Sequence, residues 1–179
     1  MCTLEEMKKF NEDFKKELKD KMINFFNDYK GVNNKIDVDN ILSKSVKIHR
    51  IKKYKDLGKI SKNTGFYIIL SDYKYDNNIC EFIIEREGIS LKAIYRGQSS
   101  DKYSRLEGHL FKQKIDSDKK DINFMKVNKE NGINIDKSPY NKYKWFVIEY
   151  KLNKITQDFR LIMEEAFVEV FKKPIFSDK

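Results

Sequence analysis

Cysteine and histidine are nearly missing from this chain: its 179 residues hold two of each, Cys2 and Cys80, His49 and His109. So few thiols build no disulfide framework, and these histidines add no metal-ligand spacing for a four-ligand zinc site. Glycine and proline are scarce as well, at seven and two residues, and no internal repeat or low-complexity tract appears. No apolar run approaches the ~20 residues that cross a bilayer. The N-terminus mixes acidic with basic residues where a signal peptide would be apolar. A soluble cytoplasmic protein with no membrane partner is expected.

What is present is aromatic and basic. Aromatics make up 13% of the chain and apolar residues 40%, which argues against wholesale disorder. The length suits one domain with an appendage and allows a real core. A net charge of +9 and a pI near 9.3 call for an anionic partner: nucleic acid, an acidic membrane surface or an acidic protein. Asn, Ile and Tyr are abundant beside Lys, the signature of an AT-biased coding sequence. Charge by itself therefore does not choose among these partners.

Thr3-Leu-Glu-Glu6 reads as a capping box, followed by apolar residues at gaps of three and four from Leu4 to Tyr29. That pattern predicts an amphipathic helix over 3–29, suited to a core or dimer contact. A short helix is expected at 37–42, and 46–55 is a basic segment that forms a strand or a DNA-facing arm. His49 within it reads as a surface or capping histidine. Gly65-Phe-Tyr-Ile-Ile-Leu70 reads as a buried strand, and 79–85 with 89–95 as a hairpin about Arg86-Glu-Gly88. A helix follows from about Asp101 to Lys112. Residues 113–143 read as a surface excursion with a short helix near Phe124. A strand at 145–152 and a helix at 156–172, stopped by Pro174, complete the order. The fold class expected is α+β: a small, mostly antiparallel central sheet flanked by helices. Residues 1–62 form an N-terminal helical extension and 63–179 the main domain.

One stretch carries chemistry. A strand-like run ends at Tyr95, Gly97 lets the backbone turn, and Arg105 and His109 follow four residues apart on one helical face. A phenol, a cation and a proton-exchanging group are suited to cutting a phosphodiester. Singly, each has an ordinary reading. A strand tyrosine is usually core, an Arg/His pair is commonly a solvated face, and Asp101 is spaced to pair with Arg105.

In order along the chain, these residues resemble the GIY-YIG nucleases. Gly65-Phe66-Tyr67 matches the first motif and Tyr95-Arg96-Gly97 the second. Arg105 and His109 fall eight and twelve residues after Gly97, where the family places its arginine and often a histidine. The segment Leu161 to Pro174 is similar to the family's closing helix, with its glutamate, apolar residues and Lys-Pro. Matching the apolar pattern selects Glu164, and counting back from Pro174 selects Glu165; the pattern is favoured because packing fixes a helix face. Arg96 stands in place of the family's central Ile and points opposite to Tyr95 on a strand. The interval between the first two motifs is longer than usual. Ser177 replaces an asparagine, which bears on how the C-terminus is fastened.

The resemblance implies a metal-dependent DNA endonuclease, restriction-type or mobile-element. Its catalytic residues would be Tyr67, Tyr95, Arg105, His109 and Glu164, with one Mg²⁺ or Mn²⁺ on Glu164. Tyr67 would act as general base or orient the water, its pKa lowered by the metal and Arg105. Lys52, Lys53, Lys55, Lys92, Arg96, Lys102 and Lys112 are candidates for phosphate contact. A homodimer through the N-terminal helix is expected if both strands are cut with one site per chain. The alternative is a nucleic-acid-binding protein on a decayed nuclease scaffold.

Overall fold

A 24-residue helix, α1 (Leu4–Asn27), opens the chain in the computed structural model, which describes residues 3–30, 36, 38–111, 133–152 and 154–177. Its capping box forms as the sequence predicts, with Glu6 N donating to Thr3 Oγ1 and Thr3 N to Glu6 Oε2. The C-terminal end of α1 is anchored by Phe26, fully buried among Phe66, Phe167 and Phe171. The N-terminal half stands clear, leaving Leu4, Met7, Phe10 and Phe14 exposed. The short helix expected next is α2 (Val38–Ile41). That expected near Phe124 lies outside the described residues.

Five strands form one sheet in the order β1-β5-β2-β4-β3: β1 (Val46–Arg50), β2 (Gly65–Ser71), β3 (Ile83–Arg86), β4 (Ile89–Ser99) and β5 (Trp145–Lys151). Every pairing between them is antiparallel. β2 is central and wholly buried, as its continuous apolar run requires. The basic segment at 46–50 is thus an edge strand on β5. The β3–β4 hairpin closes through Glu87 and Gly88, both at positive φ, the conformation a two-residue hairpin turn demands. The fold is α+β, with α1 and α4 (Gln157–Phe171) on one face of the sheet and α3 (Lys102–Phe111) on the other. Among the described residues no helix is long and apolar enough to cross a membrane.

β4 corrects one expectation: it does not end at Tyr95 but runs through Gly97 to Ser99. It also carries a bulge. Ala93 pairs with Leu70 and Tyr95 with Ile69, so Ile94 has no partner across the ladder. Simple alternation would put Ala93 and Tyr95 on one face. The extra residue breaks that parity: Ala93 packs with the α1/α4 core, whereas Ile94 and Tyr95 join the α3 core.

Candidate active site

The bulge places Tyr95 beside Tyr67 on the adjoining strand, their rings stacked with centroids 6.1 Å apart. Gly97, the residue opposite Tyr67, is what makes room. A Cβ there would lie 2.7 Å from Tyr95 Cε1 and 2.8 Å from Tyr67 Oη. The glycine of the second motif serves ring packing, not a turn. The first-motif glycine is also steric: a Cβ on Gly65 would meet the Tyr150 carbonyl oxygen and the Lys102 ammonium.

α3 supplies the next two groups. Asp101 starts it by accepting from Ser104 N and Oγ, so its carboxylate serves as a cap and not as the partner of Arg105. Leu106 and Leu110 bury one side of the helix, and His109, 1% exposed, is carried in against the tyrosines. Its Nε2 is 3.0 Å from Tyr67 Oη, and its ring lies 4.3 Å from that of Tyr95. Nδ1 is buried with no hydrogen-bond partner among the described residues. Burial, with help from the Arg105 charge, lowers the His109 pKa to about 3, so the imidazole is neutral. Arg105 is half-buried on the same helix.

Tyr67 departs from expectation. Burial pushes its pKa well above 10, and the nearby Tyr95 and Glu164 push the same way; Arg105 opposes them without prevailing. The phenol is therefore neutral in this state. The same forces report proximity: the charges of Arg105 and Glu164 both reach Tyr67. Tyr95 and His109 thus contact the Tyr67 phenol, and the charges of Arg105 and Glu164 act on it.

Glu164 arrives from the opposite face, at the side of β4. α4 lies along that strand, with Arg160 Nε donating to Gln98 Oε1 at 2.8 Å and, one turn on, Glu164 Oε1 3.0 Å from Arg96 Nη1. Arg96 is 5% exposed and the Glu164 side chain 13%, so the ion pair is largely withdrawn from water. Glu165 points elsewhere, toward Lys19 of α1. A cleft of about 550 Å³ between α1 and α4 opens onto the Arg96–Glu164 pair. The donor set does not fit the expected divalent ion in this arrangement. Among the described residues no group of three or more His, Cys, Asp or Glu side chains is placed to hold a metal ion, and the Glu164 carboxylate already carries the Arg96 guanidinium.

Several basic residues do not serve the expected phosphate contact. Lys102 is fully buried, its Nζ donating to Ser61 Oγ, Asn63 O and Thr64 O and lying 3.4 Å from Glu149. Arg96 is buried against Glu164, and Lys92 donates to Asn78 O. Lys52, Lys53 and Lys55 are exposed; Lys112 lies outside the described residues. His49 is not a surface histidine: its Nε2 lies 2.9 Å from Glu149 Oε2. Nothing in the local sequence marks Glu149 as its partner, because the contact spans 100 residues. The C-terminus is fastened after all, with Ser177 Oγ accepting from Arg96 N and Phe176 N donating to Ile94 O.

No family model, no curated protein and no solved structure matches this chain.

Proposed function

We propose that the chain is a DNA endonuclease of the GIY-YIG type, hydrolysing phosphodiester bonds at Tyr67, Tyr95, Arg105, His109 and Glu164. The observation that carries this reading is the buried Tyr67–His109 hydrogen bond, stacked on Tyr95 and within reach of a cation and a carboxylate. Tyr67 takes a proton from the attacking water as its own proton passes to His109 Nε2. The Nδ1–H tautomer of neutral His109 accepts it. An imidazolium so buried, beside Arg105, is a strong acid and gives the proton on to the leaving oxygen. As the water oxygen bonds to phosphorus and the leaving oxygen departs, Arg105 neutralises charge on the phosphoryl oxygens. With Glu164 held by Arg96, these steps draw on the phenol, the imidazole and the guanidinium and not on a bound Mg²⁺ or Mn²⁺. The exposed stripe of Leu4, Met7, Phe10 and Phe14 is our candidate for the contact between two copies, which one site per chain requires for double-strand cutting.

The experiment is nicking of supercoiled plasmid, with and without Mg²⁺ or Mn²⁺. Arg105→Ala and Tyr67→Phe are each expected to lose at least about 100-fold in rate while keeping a native circular-dichroism spectrum. Undiminished nicking by both variants sinks the assignment. A second reading, a DNA-binding protein without cleavage, has two observations in its favour: the neutralised Glu164 and the raised Tyr67 pKa. It gains if the wild type binds DNA in a salt-sensitive way and never nicks it.

A further inference from the structure

The Arg96–Glu164 pair has a consequence beyond the nuclease reading. Arg96 stands in the middle of the Tyr95–Gly97 motif, and the bulge at Ile94 turns it toward α4 while Tyr95 turns toward α3. Its backbone is held by Ser177 and its guanidinium lies 3.0 Å from Glu164. Two neighbouring cations are engaged elsewhere: Arg160 with Gln98 and the Ile155 carbonyl, Lys19 with Glu169. Arg96 is thus a close, desolvated cation on Glu164, and the pair borders the cleft between α1 and α4.

We infer that Arg96 is the built-in cation of Glu164 and competes with a hard divalent ion for that carboxylate. A doubly charged ion on Glu164 would face the guanidinium across a few ångströms of poorly screened space. Binding therefore requires Arg96 to leave Glu164 and move into the cleft. The unmodified chain is accordingly a weak binder of Mg²⁺ and Mn²⁺, with a latent site that removal of Arg96 exposes. A partly buried carboxylate deprived of its partner destabilises the fold, and a bound ion relieves that cost. The inference rests on Glu164 belonging to the proposed nuclease site, so its test is made without DNA.

Mn²⁺ binding to the DNA-free protein is followed by electron paramagnetic resonance, and melting by circular dichroism with and without Mg²⁺. Removing a unit charge ~5 Å from a divalent ion changes affinity by about tenfold even at the dielectric of water. Arg96→Gln, whose neutral amide can still donate to Glu164, and Arg96→Met are each expected to bind Mn²⁺ at least about tenfold more tightly than the wild type. Their melting midpoints rise in Mg²⁺, whereas that of the wild type does not. If Arg96→Met fails to fold, Arg96→Gln decides. Equal affinity in wild type and variant overturns the competition. So does tight binding that survives in Arg96→Gln/Glu164→Gln, because the ion then sits elsewhere. Plasmid nicking is read separately: no nicking by Arg96→Gln with the ion bound defeats the nuclease reading and leaves the competition standing. Nicking without any change in Mn²⁺ affinity does the reverse.

Discussion

Two buried polar clusters sit side by side on the α3 face of the sheet, and they are built on opposite terms. Tyr67 and Glu149 are direct neighbours across β2 and β5. Around Glu149 nearly every polar group has a partner: His49, Ser61 N and Lys102 meet the carboxylate, and three further oxygens meet the Lys102 ammonium. These bonds pull the Glu149 pKa down to about 2 against its burial. Around Tyr67 the hydrogen-bonding capacity is not used up. His109 Nδ1 is unpartnered among the described residues, and burial drives Tyr67 and His109 toward their neutral forms. A saturated cluster has nothing left to offer a ligand and serves the fold, here by fastening the loop at 61–64 to β5 and α3. The unsaturated cluster is the one with chemistry to give.

The largest test of that contrast removes one member from each side. Lys102→Met leaves the Glu149 carboxylate buried without its cation and is expected to cost ~3–5 kcal/mol. Tyr67→Phe removes one hydroxyl and its neutral hydrogen bond with His109 Nε2 and is expected to cost less, ~1–2 kcal/mol, while nicking is lost. Urea midpoints measure both. A Tyr67→Phe variant less stable than Lys102→Met would invert the assignment of roles.

Acid separates the clusters next. His109 has a folded pKa of about 3 against an ordinary 6.5, so the unfolded chain binds the extra proton first. Its contribution to stability is present above pH 6.5 and is lost as pH falls from there toward 3. Between pH 7 and pH 5 this amounts to ~2 kcal/mol at one proton per chain. Glu149, lowered from 4.5 to about 2, is the ordinary carboxylate case. Its contribution begins to disappear only as pH falls below 4.5. Melting temperatures across pH 7 to 5 should therefore decline in the wild type and stay nearly level in His109→Gln. An unchanged decline in that variant places the titrating group elsewhere.

Which of these features the sequence discloses depends on their range. Helix α1, the central strand, the hairpin, β5 and α4 follow from apolar period, caps and turn residues, all local signals. The bulge at Ile94 leaves no local mark, yet it decides that Tyr95 faces Tyr67 and Arg96 faces Glu164. Gly97 looks like a turn residue because glycine's commonest reason is conformational; the reason here is two tyrosine rings from different strands. Lys102 and Glu149 look like solvated charges, since their pairing joins α3 to β5, far apart in the sequence. Order and spacing along the chain pick out the five proposed site residues. Arg96's hold on Glu164 needed the register of β4 against α4.

The smallest effect expected is also the most local. Ser177 Oγ accepts from Arg96 N, a buried amide at the side of β4. Ser177→Ala removes that acceptor and is expected to cost ~1 kcal/mol, within reach of a urea midpoint measured at constant slope. Where the loss appears is more informative than its size. Hydrogen exchange at the Arg96 amide should rise, because the C-terminal segment that covers it is loosened. The Ser61 amide, which donates to Glu149 in the saturated cluster, should exchange as before. That outcome makes the site's rim an independently opening unit, the behaviour a binding region draws on. Equal acceleration at both amides would join the two clusters in one cooperative unit, and the distinction between a closed cluster and an open one would then describe their bonding but not their dynamics.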